Sequence, residues 1–226
     1  MRATLLCSCG LLLESHGEKL LIDAPNGNFP PFYALPEDSV QRLTAGAGEF
    51  LGLRGMIFTH LHPDHYDAQR VETVLCAQPQ LKIFLPDWNM PECVWLTIGR
   101  FRIECHRFAH TPVPQFPDAA HDVLLVSDGE KIVYLTADAA PDAEKHWRLL
   151  NGRTVDASFW NSQYLSYPET RALLQQCARQ NYIYHMPEGE LRASAIGRKC
   201  ERNLQRYGAE LPNVRVLTDY PTALEI

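Results

Sequence analysis

The sequence lacks several features that define whole classes of protein. No segment approaches the 18 consecutive apolar residues of a membrane-spanning helix, so no membrane partner is expected. The first ten residues lack the long apolar core and the cleavage site of a secretory signal peptide. The seven cysteines are irregularly spaced and contain no CxxC pair. We therefore expect reduced thiols and a cytoplasmic location.

A concentration of positive charge is also missing. No run of Lys or Arg stands out, and the formal net charge is −6. Proteins that bind long nucleic acids depend on many phosphate contacts, so this composition argues against such a partner. A small anionic substrate stays compatible with it, because the local charge of a site can oppose the charge of the whole protein.

Low-complexity tracts and linkers between domains are absent as well. A chain of 226 residues without them predicts one domain over residues 1–226. A domain of this size buries enough surface to fold without disulfides. Strand signals dominate the first part, and strands alternate with helices in the second. This order predicts an α/β fold in which two sheets pack together under helices.

Hydrophobic patterns and turn signals predict the individual elements. Helices are predicted from Pro36 onward and over Ala68–Ala77, Asp142–Leu150, Glu169–Arg179 and Leu191–Tyr207. Strands are predicted within Met1–Gly10 and over Leu11–Ser15, Lys19–Asp23, Gly55–Phe58, Leu81–Leu85, Cys93–Ile98, Phe101–Phe108, Asp122–Ser127, Lys131–Leu135, Val155–Trp160, Tyr182–Tyr184, Asn213–Leu217 and Thr222–Ile226.

One short segment concentrates metal-binding chemistry. His60, His62, Asp64 and His65 lie within six residues, directly after a predicted buried strand. In an extended chain, side chains two positions apart point the same way, so His60 and His62 can bind one metal ion together. Asp64 and His65 then lie where the chain turns toward a helix, and they can face a second ion. Imidazole and carboxylate ligands suit zinc, and also manganese, iron or cobalt.

The segment Thr59–His65 resembles the HxHxDH signature of the two-metal hydrolases of the metallo-β-lactamase superfamily. Further landmarks of that superfamily occur in the same order: Asp23 after an early strand, His110 ahead of a hairpin, Asp138 at a strand end and His185 after a short strand. The resemblance implies a four-layer αβ/βα sandwich of two mixed β-sheets flanked by helices. It also implies two divalent metal ions per chain, zinc or manganese, with iron as a further option.

The resemblance also implies roles for these residues. One ion would be bound by His60, His62 and His110, the other by Asp64, His65 and His185, with Asp138 bridging them and Asp23 orienting the metal-binding loop from outside. A metal-bridging hydroxide would attack the substrate, and Asp64 would orient it and accept a proton. Redox di-iron relatives usually carry Glu at the position of His62, so the resemblance favours hydrolysis.

The overall layout resembles the small phosphodiesterases of the superfamily and implies a small phosphorylated substrate, cyclic phosphates included. Those relatives tend to carry a further catalytic histidine between the last two ligands, where this chain has Asn161 and Tyr164; its only histidine there is His146, on a predicted helix. We interpret Asn161 and Tyr164 as candidate substrate-binding residues. Arg192 is a third candidate, because its planar guanidinium can hold a phosphate.

Other functions stay open at this point. Tyr66-Asp67 follow the signature, where many lactonases and thioesterases carry a small residue and glycine, and lactone or thioester hydrolysis is the alternative because it uses the same metal ligands. A non-catalytic metal-binding sensor is a hypothesis of another class. The loop Asn26–Tyr33 could cap the site or merely anchor itself to the body, and His121 could reach the cleft from the start of a strand. A homodimer is left open.

Overall fold

The first of two mixed β-sheets is built mainly from the amino-terminal part of the chain. The structure is a computed structural model, and it describes residues 1–113, 118–187, 189–211 and 213–226. The strands of this sheet are β1 (Arg2–Leu5), β2 (Leu11–Ser15), β3 (Glu18–Ile22), β4 (Leu53–Ile57), β5 (Lys82–Phe84) and β13 (Thr222–Glu225). Their order is β13-β1-β2-β3-β4-β5, with parallel pairing of β3 to β4 and of β4 to β5 and antiparallel pairing elsewhere.

The second sheet takes the middle and the end of the chain. Its strands are β6 (Cys93–Ile98), β7 (Phe101–Phe108), β8 (His121–Ser127), β9 (Ile132–Leu135), β10 (Val155–Asn161), β11 (Ala178–Tyr184) and β12 (Val214–Val216). They lie in the order β12-β11-β10-β9-β8-β7-β6. The hairpins from β6 to β9 are antiparallel, and β9 to β12 are parallel.

Alternation along the strands divides the apolar side chains between two layers of core. Leu20 and Ile22 of β3 belong to the core between the sheets, whereas Leu21 between them packs under helices on the outer face. Leu124 of β8 likewise faces the first sheet, and Leu125 faces outward. Successive strand side chains point to opposite faces, so each strand serves both cores. Burial of each such leucine stabilises the fold by about 1.5–3 kcal/mol.

Helices complete the four layers. The outer face of the first sheet is covered by α1 (Glu37–Thr44) and α2 (Ala68–Ala77), and that of the second sheet by α3 (Ala143–Leu150), α4 (Pro168–Gln176) and α5 (Ala195–Tyr207). The α/β sandwich of two mixed sheets flanked by helices is therefore confirmed. None of the described helices is long and apolar enough to cross a membrane.

Most predicted elements match the structure to within a residue or two, but two helices and one strand differ. The strand predicted over Tyr182–Tyr184 is β11, which begins at Ala178. The helix predicted over Glu169–Arg179 ends at Gln176, and Arg179 lies in β11, which pairs with β10 from Ala178 onward. Tertiary strand pairing overrides the helix propensity of these residues. The helix predicted to begin at Leu191 begins at Ala195, because the Ser194 side chain accepts a hydrogen bond from Gly197 N and caps the helix.

One edge of the sandwich collects the ends of several strands. β4, β7, β9, β10 and β11 end there, and β8 begins there. A hydrogen bond from Asp122 N to Thr59 O, 2.9 Å long, joins the second sheet to the loop after β4 at this edge. All seven predicted metal ligands follow strands of these two sheets at this edge.

Candidate metal centre

The HxHxDH segment leaves β4 and turns at once toward α2. The backbone N–H groups of His65 and Tyr66 both donate to the carbonyl of His62, which closes a tight turn between the histidines. Asp67 then caps α2 by accepting a hydrogen bond from Arg70 N. A strand, one turn and a capped helix therefore fix the direction of the loop, and His60, His62, Asp64 and His65 are all buried.

Three histidines form the first ligand group. The candidate metal-binding atoms of His60, His62 and His110 lie within 4.8 Å of one another. The Nε2 atoms of His60 and His110 are 3.3 Å apart, and the rings of His62 and His110 are T-shaped with centroids separated by 4.5 Å. The three side chains predicted to bind one ion are thus brought together from two different loops.

The second group contains the other predicted ligands. The candidate atoms of Asp64, His65, Asp138 and His185 also lie within 4.8 Å of one another. The Nε2 atoms of His65 and His185 are 2.9 Å apart, and Asp64 Oδ2 is 3.4 Å from His185 Nε2. His185 occupies the left-handed backbone region with φ of 57°, which turns its ring back over the edge as β11 ends.

Asp138 stands between the two groups. Its Oδ2 atom is 4.0 Å from His60 Nε2, 3.7 Å from His110 Nε2 and 3.6 Å from His65 Nε2. Its Oδ1 atom is 3.7 Å from His185 Nε2. One carboxylate therefore reaches the ligand atoms of both groups, as a bridging ligand must.

Hydrogen bonds on the far side of three rings set their tautomers. The hydroxyl proton of Thr59 is donated to Asp23 Oδ2, so Thr59 Oγ1 accepts a hydrogen bond of 3.2 Å from His60 Nδ1. His65 Nδ1 donates to Asp23 Oδ2 at 3.0 Å, and His110 Nδ1 donates to the carbonyl of Thr111. With the proton on Nδ1, each ring directs the lone pair of Nε2 toward the centre.

Asp23 carries much of this support. It is fully buried with φ of 52°, and its Oδ1 accepts a hydrogen bond of 2.7 Å from Thr59 N. All three of the donors to its carboxylate belong to the metal-binding loop. The placement fits the role that the resemblance implied for this residue, an orienting contact from outside the ligand set.

The electrostatics of the cluster suit cations. Burial lowers the pKa of His60 well below its usual value, so this ring is neutral. Burial also acts to lower the pKa of His65, but the carboxylates of Asp23, Asp138 and Asp64 outweigh it and raise that pKa. Burial disfavours the ionised form of Asp138, yet His185, His110 and His65 hold its pKa well below the usual range. Inward-facing nitrogens 2.9 and 3.3 Å apart alongside ionised carboxylates are a donor set that fits two divalent metal ions.

Two further side chains, Asn161 and His121, form hydrogen bonds with Asp138. Asn161 Nδ2 donates to Asp138 Oδ1 at 2.6 Å, although sequence reasoning assigned Asn161 to substrate binding. His121 is fully buried, and its Nε2 accepts the backbone N–H of Asp138 at 3.1 Å. The only sequence signal for His121 is its place at the start of a strand, which lies at the ligand edge once β8 pairs with β7.

Tyr164, Arg192 and His146 lie away from the ligand cluster. The Tyr164 hydroxyl is completely buried and donates to the carbonyl of Ala139 at 3.1 Å, so it lies behind the Asp138 loop instead of on the cleft wall. Arg192 donates to Thr218 O at 3.1 Å and is absent from the described lining of the cleft. His146, completely buried, bonds to tyrosine hydroxyls in the outer core.

An open cleft gives access to the ligand cluster through two adjoining cavities of about 180 and 220 Å³. Both are lined by Asp138, Phe32, Val113 and Ile196. Phe32 comes from the loop after β3 and packs edge-on against His185, with ring centroids 4.0 Å apart. The loop Asn26–Tyr33 therefore covers part of the ligand cluster with Phe32, which supports the hypothesis that it caps the site.

Together the layers and the ligand cluster define a protein with the metallo-β-lactamase fold and a His/Asp centre suited to two cations. The chain is similar over its whole length to the metallo-β-lactamase fold protein YhfI from Bacillus subtilis, with a TM-score of 0.67, 14% identity and coverage of 99% of that chain. It is also similar over its whole length to an isothiocyanate hydrolase from Delia radicum gut bacteria, with a TM-score of 0.61, 14% identity and coverage of 99% of that chain.

A third similar structure is a diphosphatase of the PhnP family. The match covers 96% of this chain and 83% of that one, with a TM-score of 0.51 and 13% identity. No protein-family model and no curated protein sequence matches the chain. At these identities the similarity establishes the shared fold, and the chemistry must be argued from the residues of the site.

Proposed function

We propose that this protein is a metal-dependent hydrolase that cleaves phosphodiester bonds in small phosphorylated substrates. The convergence of seven side chains at one edge of the sandwich carries the proposal: His60, His62, Asp64, His65, His110, Asp138 and His185. They are contributed by four separate loops, and each loop follows a strand of the two sheets. Packing at this edge would not require five imidazoles and two carboxylates whose ligand atoms converge, whereas two metal ions would.

When bound, two divalent ions lower the pKa of water to supply a nucleophile near neutral pH and neutralise charge on the substrate. The chain's own residues prepare that chemistry. Asp64 lies beside His185, with Oδ2 at 3.4 Å from Nε2. Burial disfavours its ionised form, but His185 and His65 lower its pKa, so it is a carboxylate that can accept a proton at Oδ2.

The charge of the centre supports an anionic substrate. Two dications outweigh the two carboxylates of Asp64 and Asp138, so the loaded centre is positive although the chain carries a net charge of −6. A phosphodiester fits that field, and the similarity to a diphosphatase of the PhnP family is consistent with it. The seven free cysteines support a cytoplasmic location.

Hydrolysis of a lactone or thioester is the second candidate. One half of the cleft is apolar and is lined by Phe29, Pro30, Pro31, Phe32 and Ile196. Such a wall accepts an uncharged acyl group, and the metal ligands would serve an attack on carbon equally well. The fold is also that of an isothiocyanate hydrolase, and the electrophilic atom of an isothiocyanate is a carbon.

The experiment combines metal analysis with assays on the same purified sample. We expect about two metal ions per chain and turnover of bis(p-nitrophenyl) phosphate, both lost in His62→Ala. His16→Ala is the matched control, because His16 lies in an exposed turn away from the cluster.

Each other outcome assigns the protein to a different class. Turnover of a lactone or thioester alone would favour the second candidate. Bound metal without turnover of any ester would favour the sensor. Well-folded protein that takes up neither zinc nor manganese would overturn the proposal.

A further inference from the structure

Helix α5 forms one wall of the cleft with a single face. Ile196, Lys199, Cys200 and Asn203 line the cavity beside His110, Asp138 and His185, and their spacing is that of i, i+3, i+4 and i+7 on a helix. Gly197 fixes the helix in place, because a Cβ atom there would lie 2.2 Å from the carbonyl oxygen of Arg192. A side chain at this position would push the helix away from the preceding turn.

The cleft has two chemically different halves on either side of Asp138. The half beside α5 combines apolar side chains (Phe32, Val113, Ile196 and Cys200) with polar ones, among them Thr111, Asn161, Gln163, Lys199 and Asn203. The half beside the loop after β3 is lined mainly by aromatic and proline side chains, with His62 and Asp64 at its base. A substrate whose reacting bond lies over the metal ligands would therefore extend toward hydrogen-bonding side chains and Lys199 at one end and toward an aromatic and proline surface at the other.

Within the half beside α5, the amide groups are engaged with the protein itself. Asn161 Nδ2 donates to Asp138, Gln163 Nε2 donates to Thr111 Oγ1 and to Ala139 O, and Asn203 Nδ2 donates to Ser166 Oγ. These bonds hold the amides as a rigid wall. They leave the ammonium group of Lys199 as the donor best able to serve a ligand.

Lys199 is the only Lys or Arg among the described residues that line the two halves of the cleft. It is exposed, and it forms no ion pair with any described carboxylate, whereas Arg42, Arg107 and Arg153 each do. An unpaired cation on the wall of a substrate cleft attracts an anionic group and holds it by a charge-assisted hydrogen bond.

We propose that Lys199 recognises a second anionic group on the substrate, either a carboxylate or a terminal phosphate, separate from the bond that is cleaved. The substrate is then an amphipathic diester, with its anionic arm on the α5 side and an apolar arm against Phe29 and Phe32. This inference rests on the proposed hydrolase function and specifies the substrate class. Lys199 contacts the substrate arm and leaves the reacting atoms to the metal ligands, so it determines specificity.

The test uses three p-nitrophenyl phosphodiesters that differ only in the second arm: ethyl, carboxyethyl and phosphoethyl. We expect Lys199→Gln to raise KM for the carboxyethyl or the phosphoethyl diester by about 10-fold, with kcat unchanged. The kinetics of the ethyl diester should stay the same. Whichever anionic arm shows the larger change identifies the preferred group.

Arg198→Gln is the matched control, because Arg198 precedes Lys199 on α5 but is not among the cleft-lining residues. Calorimetry with carboxyethyl phenylphosphonate, in which a stable P–C bond replaces the P–O bond to the nitrophenolate leaving group, measures binding to the metal-loaded protein without release of that group. Weaker binding to Lys199→Gln than to Arg198→Gln supports the proposal.

Two results would overturn the inference. One is an equal change for all three diesters, and the other is no change in KM or in phosphonate binding. Failure of the hydrolase proposal looks different: the wild type would then hydrolyse none of the diesters, while phosphonate binding would still report on Lys199.

Discussion

Buried histidines lie in two neighbouring regions of this protein, the ligand edge and the outer core, and the partners of their ring nitrogens differ between the two. At the ligand edge, the Nε2 atoms of His65 and His185 face each other at 2.9 Å, and those of His60 and His110 at 3.3 Å. Each of these Nε2 atoms faces another ring nitrogen and the Asp138 carboxylate, which is an arrangement of ligands that suits a cation.

In the outer core, His146 is equally buried but completely satisfied by protein. Tyr134 donates its hydroxyl proton to Nδ1, Nε2–H donates to Tyr164 Oη at 2.8 Å, and the Tyr164 hydroxyl donates to Ala139 O at 3.1 Å. Phe108 stacks on the ring with a centroid separation of 4.5 Å. This chain of hydrogen bonds ends on the residue after Asp138 and supports the Asp138 loop from behind.

The comparison shows that burial alone does not identify a metal-binding histidine. His60, His65 and His146 all have no exposed surface, and burial lowers the pKa of both His60 and His146. What distinguishes the two regions is the partner of Nε2: at the ligand edge it faces another imidazole and Asp138, whereas in His146 it contacts a tyrosine hydroxyl. Both ring nitrogens of His146 are bonded to tyrosine hydroxyls, so it can neither bind a metal ion nor take the role of the additional catalytic histidine that the resemblance to phosphodiesterases implies.

Changing Asp23 should disturb the ligand region most. Asp23→Asn places an amide among three donors, Thr59 N, Thr59 Oγ1 and His65 Nδ1, so at least one donor faces another. We expect metal affinity to fall about 100-fold, measured by competition with a chelator.

Asp128→Asn is the control for the loss of a buried carboxylate. Asp128 is also buried, but it lies in the hairpin at the opposite end of β8 and accepts hydrogen bonds from Ser15, Glu130 and Lys131. The Asp128→Asn substitution should lower the free energy of unfolding and leave metal affinity unchanged. Equal metal affinity in both variants would contradict the role given to Asp23.

The outer region should show itself in the pH dependence of stability. Burial lowers the pKa of His146 from 6.5 to about 3 in the folded protein. At a pH above 6.5, the pKa of the unfolded chain, neutral His146 does not reduce the free energy of unfolding. As the pH falls below that value, the unfolded chain binds a proton that the folded protein does not, so the free energy of unfolding decreases. Between pH 7 and pH 5 we expect this residue to reduce the free energy of unfolding by about 2 kcal/mol.

Urea unfolding of chelator-treated protein at the two pH values measures that effect. His146→Gln should remove it, and the control His16→Gln should not, because His16 is exposed. Identical pH dependence in the wild type and His146→Gln would mean that the tyrosine hydroxyls tolerate a protonated ring.

A smaller effect should follow from the contact between Asn161 and Asp138. Asn161→Ala removes a hydrogen bond of 2.6 Å that orients the Asp138 carboxylate, and we expect kcat/KM to fall about 10-fold. Asn161→Asp retains the acceptor for Gln163 N but sets a carboxylate against Asp138. Its activity should be lower than that of Asn161→Ala. The reverse order would show that Asn161 acts only by accepting the hydrogen bond from Gln163 N at the start of the 3-10 turn.

The sequence predicted those parts of the centre that depend on local spacing. The cluster from His60 to His65 follows one strand, and the strand and the turn place its members without help from the rest of the fold. His110, Asp138 and His185 were found through the order of landmarks in a resembling superfamily. Their meeting in space depends on the pairing of β7 to β11, which no local pattern specifies.

Other placements could not be inferred, for identifiable physical reasons. Tyr164 follows a strand and was expected at the cleft, but a 3-10 turn over Ser162–Ser166 rotates its side chain into the core. Lys199 gave no sequence signal, because a lysine on a polar helix is usually solvated. Its position in the cleft depends on the close contact that Gly197 allows between α5 and the preceding turn.

The origin of the ligands in both sheets has a consequence for the lifetime of the protein in a cell. Four predicted ligands follow a strand of the first sheet and three follow strands of the second, so bound ions would hold the two sheets together at this edge. Ions that bind only the folded state add about 4 kcal/mol to stability when free metal exceeds the dissociation constant a thousandfold. Where metal is scarce, that edge opens more often, and proteases that cut opened chains remove the empty protein first. Metal supply would then set how much of this protein is present as well as how active it is.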